Sequence, residues 1–170
     1  EDKHNDAVPV AIVANAGTTN TGSIDPLQEM GEIAREHGIW FHVDGAYGLP
    51  GTLDPVVHDL YKGLTLADSI TVDPHKWLGA PVGIGATFVR HYKALQHTFT
   101  QGSADYIDTS TVDIEQIENS MDSVGVPYHD LGVELSAPAR GTVVWALLRE
   151  IGKEGLRARV CRHNAMARRV

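Results

Sequence analysis

Residues 8–43 contain an apolar run, a small-residue loop, a helix-like stretch and a second apolar run, in that order. This alternation most narrows the folds open to the chain. Two buried strands joined through a helix lie parallel in one sheet, with a right-handed crossover. The first run, residues 8–14, is rich in valine and isoleucine and carries no charge, as a buried parallel strand requires. It ends at Asn15-Ala16-Gly17-Thr18-Thr19-Asn20-Thr21-Gly22. Asp25 is expected to cap a helix that begins at Pro26, with Gln28 completing a capping box. That helix should run to about His37 and close at Gly38 in left-handed backbone. Residues 39–43 form the second strand.

Further along, residues 56–64 read as a short helix, 69–72 as a third strand and 83–90 as a fourth. The connection 74–81 is too short for a helical crossover, so the fourth strand should run antiparallel to the third. A helix is expected over 91–99, followed by a long polar loop over 101–130 of the type that closes over active sites. Helical periodicity returns from Ala139, where Val144, Leu147, Leu148 and Ile151 follow the i, i+3, i+4, i+7 spacing. The expected class is α/β: a mainly parallel sheet with one antiparallel strand and flanking helices. Ligands of such sheets bind at the C-terminal ends of the strands. Thr18, Thr19 and Asp44 all follow strand ends and can converge there.

Composition removes several functions. A net charge of -8 argues against a nucleic-acid surface, and the C-terminal arginines (Arg157, Arg159, Arg162, Arg168, Arg169) read as a solvated helix face. Cys161 is the only cysteine, so there is no internal disulfide and no thiolate cluster, which favours a reducing compartment. No apolar stretch approaches the ~20 residues of a membrane span. The first six residues are polar and mostly charged, unlike a signal peptide. The chain starts without Met and stops within a helix-like run over 156–170, so it reads as a piece of a larger protein.

Two short strings carry the chemistry: His42-Val43-Asp44-Gly45-Ala46-Tyr47-Gly48 and Asp73-Pro74-His75-Lys76-Trp77. Lys76 sits in a stiff turn between apolar strands, where desolvation would free its amine as a nucleophile; the plain alternative is a surface ion pair. Asp44 stands at the mouth of a strand, where a buried carboxylate needs a cationic partner; the plain alternative is a turn or cap aspartate. Gly45 and Ala46 are small enough to let a flat ring approach. An acid at one strand end and a lysine at another can hold a pyridine ring between them, the arrangement that pyridoxal phosphate needs. His42 and Asp44 share a strand face and are possible metal ligands, but no third ligand follows at recognisable spacing. Gly17-Thr18-Thr19 suits an oxygen-rich ligand. Nucleotide-binding glycine loops and a Gly-x-Ser-x-Gly element are absent from the sequence.

In their order and spacing these strings, with Asn15-Ala16-Gly17-Thr18-Thr19 before them, resemble the group II pyridoxal-phosphate-dependent amino-acid decarboxylases, which include the aromatic-L-amino-acid, histidine and glutamate decarboxylases. The resemblance is strongest over residues 10–90 and continues more loosely over 135–155, including Pro138-Ala139-Arg140-Gly141. It implies a fragment of the large domain of the fold type I enzymes, with residues 1–100 as cofactor core, 101–135 as mobile loop and 136–170 as helices leading toward a further domain. By resemblance, Lys76 forms the Schiff base with pyridoxal 5'-phosphate and Asp44 pairs with the pyridine nitrogen. Ala46 packs on one ring face, Thr19 bonds at the cofactor edge, and His75 lies near the phosphate. Tyr106 is the best positional match to the family's loop tyrosine, which protonates the α-carbon, and Tyr128 is a second candidate.

The resemblance further implies an amino-acid substrate, release of carbon dioxide, a homodimer and a cytoplasmic location. Gly45 departs from the Ala-Ala that often follows the aspartate. The family's ring-stacking residue, phosphate loop and small C-terminal domain fall outside the sequence, so the piece alone is expected to be inactive. Two rival readings share the residues: another fold type I enzyme, such as an aminotransferase or carbon-carbon lyase, and an inactive scaffold. The substrate is not legible.

Overall fold

The computed structural model describes residues 7–100 and 128–170. Four strands form one sheet in the order β1 (Ala11–Asn15), β2 (Trp40–Asp44), β3 (Ser69–Val72) and β4 (Ala86–Val89). The first two pairings are parallel and the third is antiparallel, as expected. In register, Asn15 lies beside Asp44 and Asp44 beside Thr71, so the two parallel pairs end at one level.

The helix between β1 and β2, α1 (Leu27–His37), buries Leu27, Gly31 and Ala34, one stripe at helical spacing. That stripe packs on Phe41 and Val43, which alternate along β2 and are both buried. Complete burial of Leu27 and of Phe41 contributes roughly 1.5–3 kcal/mol each. Gly38 closes the helix at φ 64°, and the amides there return to the carbonyls of Ala34 and Arg35. The start of the helix differs from expectation. Pro26 occupies the cap position with no side-chain cap bond. Asp25 instead turns back to β1, where its Oδ2 accepts the Asn15 backbone N–H (2.7 Å) and Nδ2 (3.0 Å). Gln28 pairs with Glu32 rather than closing a box. The carboxylate finds two donors at the strand end, against one at a cap.

Residues 56–64 also differ. They hold a 3-10 turn, His58–Tyr61, and a second one, Leu64–Leu66, follows. Between them Gly63 takes φ 91°, which a right-handed helix cannot continue through. Upstream of both, the buried Asp54 carboxylate closes its own turn by accepting the Val56 N–H at 3.0 Å.

The expected helix over 91–99 is present as α2 (Tyr92–Phe99), and the returning pattern after Ala139 is α3 (Arg140–Ala167). Gly152 (φ 68°, ψ 170°) interrupts α3. Leu156 and Val160, beyond the kink, are buried, while Trp145 before it is 63% exposed. Arg157, Arg162, Arg168 and Arg169 are exposed, as a solvated face requires. Arg159 is not: it is half-buried and donates to the Leu78 carbonyl at 2.7 Å. The chain divides into two compact units, residues 1–90 with 139–170, and residues 91–138. Among the described residues no helix is long and apolar enough to cross a membrane.

Candidate active site

Three connections meet at the C-terminal ends of the parallel strands, and each is placed by backbone contacts. The loop after β1 is drawn against the turn after β2 by the Ala16 N–H, which donates to the Asp44 carbonyl at 2.8 Å. Gly17 and Gly48 then pass each other without room for a side chain: a Cβ on Gly48 would lie 2.5 Å from the Ala16 oxygen and from the Gly17 Cα. This close approach sets Thr18 and Thr19 beside the Asp44 turn. The turn after β2 joins the turn after β3 through the Gly45 N–H to the Thr71 carbonyl (3.0 Å) and the Asp73 N–H to the Ala46 carbonyl (3.1 Å). Asp44, Ala46 and the Asp73–Trp77 turn are thereby held at neighbouring strand ends.

Asp44 is exposed rather than buried, and its Oδ1 accepts the Ala46 N–H at 3.0 Å. This is the turn role of an aspartate, and among the described residues Oδ2 accepts no hydrogen bond. Among the described residues no cation pairs with Asp44. A Cβ on Gly45 would meet the Leu49 Cβ at 2.6 Å and the Thr71 oxygen at 3.0 Å, so the missing side chain makes room for Leu49. Ala46 is half-buried.

Lys76 is not desolvated as expected. Its side chain is 32% exposed, and Nζ lies 2.8 Å from Oδ2 of Asp73, whose side chain is 18% exposed. The i, i+3 spacing within a Pro74 turn brings the two together. Asp73 belongs to the string singled out in the sequence, yet its partnership with Lys76 was missed; its spacing to the lysine was the available signal. His75 Nδ1 lies 2.7 Å from the Ile84 carbonyl oxygen, so Nδ1 carries a proton and Nε2 is the acceptor of the neutral ring. Only the doubly protonated ring could donate from Nε2 to a phosphate. His42 is turned to β3, with Nδ1 2.7 Å from Ser69 Oγ. Thr19 is exposed and lines a pocket of about 480 Å³ together with Tyr47, Trp77 and His163. Asp44, Ala46, His75 and Lys76 do not line that pocket. Tyr106 lies outside the described residues, and Tyr128 is 65% exposed at the start of the 3-10 turn Tyr128–Leu131.

The donor set suits pyridoxal phosphate. It has a primary amine for an aldehyde, a carboxylate without a cation among the described residues for a protonated ring nitrogen, and hydroxyls at the adjoining loop.

Comparison with known proteins agrees with this chemistry. A family model described as the pyridoxal-dependent decarboxylase conserved domain matches residues 1–170. An aromatic-L-amino-acid decarboxylase of Bacillus atrophaeus is 34% identical over 157 residues, covering 92% of this chain and 31% of that protein. A phenylacetaldehyde synthase of Petunia hybrida is 29% identical over 168 residues, 99% of this chain and 31% of that one. Among solved structures, mouse CSAD in its apo form superposes with a TM-score of 0.79 at 26% identity, covering 98% of this chain and 32% of that chain. The chain thus spans about a third of the length of these relatives.

Proposed function

The chain belongs to the pyridoxal-dependent decarboxylase family, whose cofactor is pyridoxal phosphate, and from that premise we propose that it forms the lysine-bearing part of a site that removes carbon dioxide from an L-amino acid. The observation that carries this reading is the placement of Asp44 and the Lys76 turn at neighbouring strand ends, linked by the Asp73 N–H to the Ala46 carbonyl. Lys76 would hold the cofactor through its aldehyde carbon and Asp44 through its ring nitrogen, with Ala46 against a ring face and Thr19 at its edge. His75 would meet the phosphate if doubly protonated. Tyr106 is proposed as the group that protonates the α-carbon. When bound, the cofactor supplies the electron sink that takes up the bonding pair as carbon dioxide departs.

The protein's own residues prepare this. Asp73 Oδ2, 2.8 Å from Lys76 Nζ, holds that amine at the strand end, and the pair must part before the amine can act as a nucleophile. Asp44 would offer its carboxylate to the ring N–H and so keep that nitrogen protonated. The site is proposed to belong to a homodimer in the cytoplasm, as the resemblance implies.

The test uses the full-length protein loaded with pyridoxal phosphate, reduced with borohydride and mapped by peptide. The adduct is expected on Lys76; a reduced adduct elsewhere, or none, overturns the assignment. Asp44→Asn should lower turnover far more than cofactor affinity, and normal turnover would refute the ring-nitrogen role. The Petunia relative favours a second reading in which the product is an aldehyde. Product analysis separates the two, since a decarboxylase releases the amine. Transfer of the amino group without release of carbon dioxide would instead support the aminotransferase rival.

A further inference from the structure

Trp77, the residue after Lys76, is gripped from two sides. Its ring stacks on Tyr47, with centroids 6.3 Å apart and planes at 21°, and Tyr47 lies three residues beyond Asp44. Its indole N–H donates to Nδ1 of His163, on the far half of α3, at 3.0 Å. Indole nitrogen is a donor only, so His163 Nδ1 supplies a lone pair and the neutral ring carries its proton on Nε2. One turn earlier on α3, Arg159 donates to the Leu78 carbonyl at 2.7 Å. It packs so closely on the same turn that a Cβ on Gly79 would lie 2.7 Å from its Nη1. One residue after His163, the Asn164 Nδ2 donates to the buried Asp54 at 2.8 Å and fixes the helix at this level.

The Lys76–Asp73 ion pair cannot perform this positioning, because both partners belong to one turn and move with it. The turn meets the Asp44 turn through the Asp73 N–H bond to the Ala46 carbonyl, and the stack of Trp77 on Tyr47 adds a side-chain contact between the two. We propose that His163 is a positioning residue for Lys76: by accepting the Trp77 N–H it seats the indole against Tyr47 and so holds the lysine turn beside Asp44. This rests on the reading of Lys76 as the cofactor lysine.

The test compares wild type, His163→Leu and His163→Asn in the full-length protein labelled with 5-fluorotryptophan. The Trp77 fluorine resonance is read in the cofactor-free state, and affinity for pyridoxal phosphate is read by titration. His163→Leu removes the acceptor. It should move the Trp77 resonance and weaken cofactor binding about fivefold, the effect of losing one neutral hydrogen bond. His163→Asn places an amide oxygen near the position of Nδ1 and should stay within about twofold of wild type. Unchanged affinity in His163→Leu overturns the proposal, as does an equal loss in both variants, which would mark a packing role only. Peptide mapping of the reduced wild type is run alongside. No adduct on Lys76 refutes the cofactor reading and this inference with it, whereas an adduct on Lys76 with unchanged His163→Leu affinity refutes the positioning role alone.

Discussion

Replacing Gly48 with alanine should disrupt both stability and cofactor affinity, and the size of the effect follows from the geometry. Gly48 has φ -90° and ψ -11°, a conformation open to alanine, so the cost is steric rather than conformational. The new Cβ would lie 2.5 Å from the Ala16 oxygen and the Gly17 Cα, against 3.4 Å for ordinary contact. The two loops must therefore part by about 0.9 Å, the difference of those values. The obstructing atoms are backbone and cannot swing aside, so an overpacking cost of ~1–3 kcal/mol applies. The shift also strains the buried bond from the Tyr61 hydroxyl to the Gly48 carbonyl, 2.7 Å long, which is worth ~1 kcal/mol net. The total, ~2–4 kcal/mol, corresponds to roughly a 30- to 1000-fold change in the unfolding equilibrium. Urea unfolding of the cofactor-free full-length protein measures it. Gly141→Ala is the control: it faces open space in the first turn of α3 and should be neutral or slightly stabilising. A loss below about 0.5 kcal/mol in Gly48→Ala would refute the claim that this contact holds Thr18 and Thr19 against the Asp44 turn.

Asp73→Asn removes the charge beside Lys76 and should cost ~0.5–1 kcal/mol in the cofactor-free protein, since the pair is only partly shielded from solvent. The loss should shrink once the cofactor engages Lys76, so equal losses by urea titration with and without pyridoxal phosphate would count against a shared amine. Asp54 gives a pH signature. Donation from Asn164, and then from the Val56 N–H, holds its carboxyl below the ordinary 3.8. The resulting stability is therefore present above pH 3.8 and is lost as pH falls through the lower native value. Protection factors of α3 amides, with the pH dependence of intrinsic exchange divided out, should fall below about pH 4 in wild type, and Asp54→Asn should flatten that response; identical profiles would assign the acid sensitivity elsewhere.

Much of the sheet was legible because its signals are local. Strand β3 matches its expected range, and the antiparallel β4 followed from the length of one connection. Asp25 was misjudged because a capping pattern describes only neighbours in sequence, while the competing donors on Asn15 come from ten residues away. The same limit applies to residues 56–64, where apolar spacing suggested a helix that Gly63 does not permit.

At the site, the sequence by itself determined the chemical groups: an amine at Lys76, a carboxylate at Asp44, an imidazole at His75 and hydroxyls at Thr18 and Thr19. It also determined that they follow strand ends, because apolar periodicity and small-residue loops are written along the chain. Tertiary structure decided what those groups face. It left Asp44 exposed, gave Lys76 the Asp73 carboxylate, and turned Gly45 toward Leu49. It also brought His163 to Trp77 across 86 residues, for which the sequence carries no local signal. Periodicity reports which face of an element is apolar. Which polar partners meet depends on how the elements pack, and that packing is settled by steric fit between distant backbones such as those of Gly17 and Gly48.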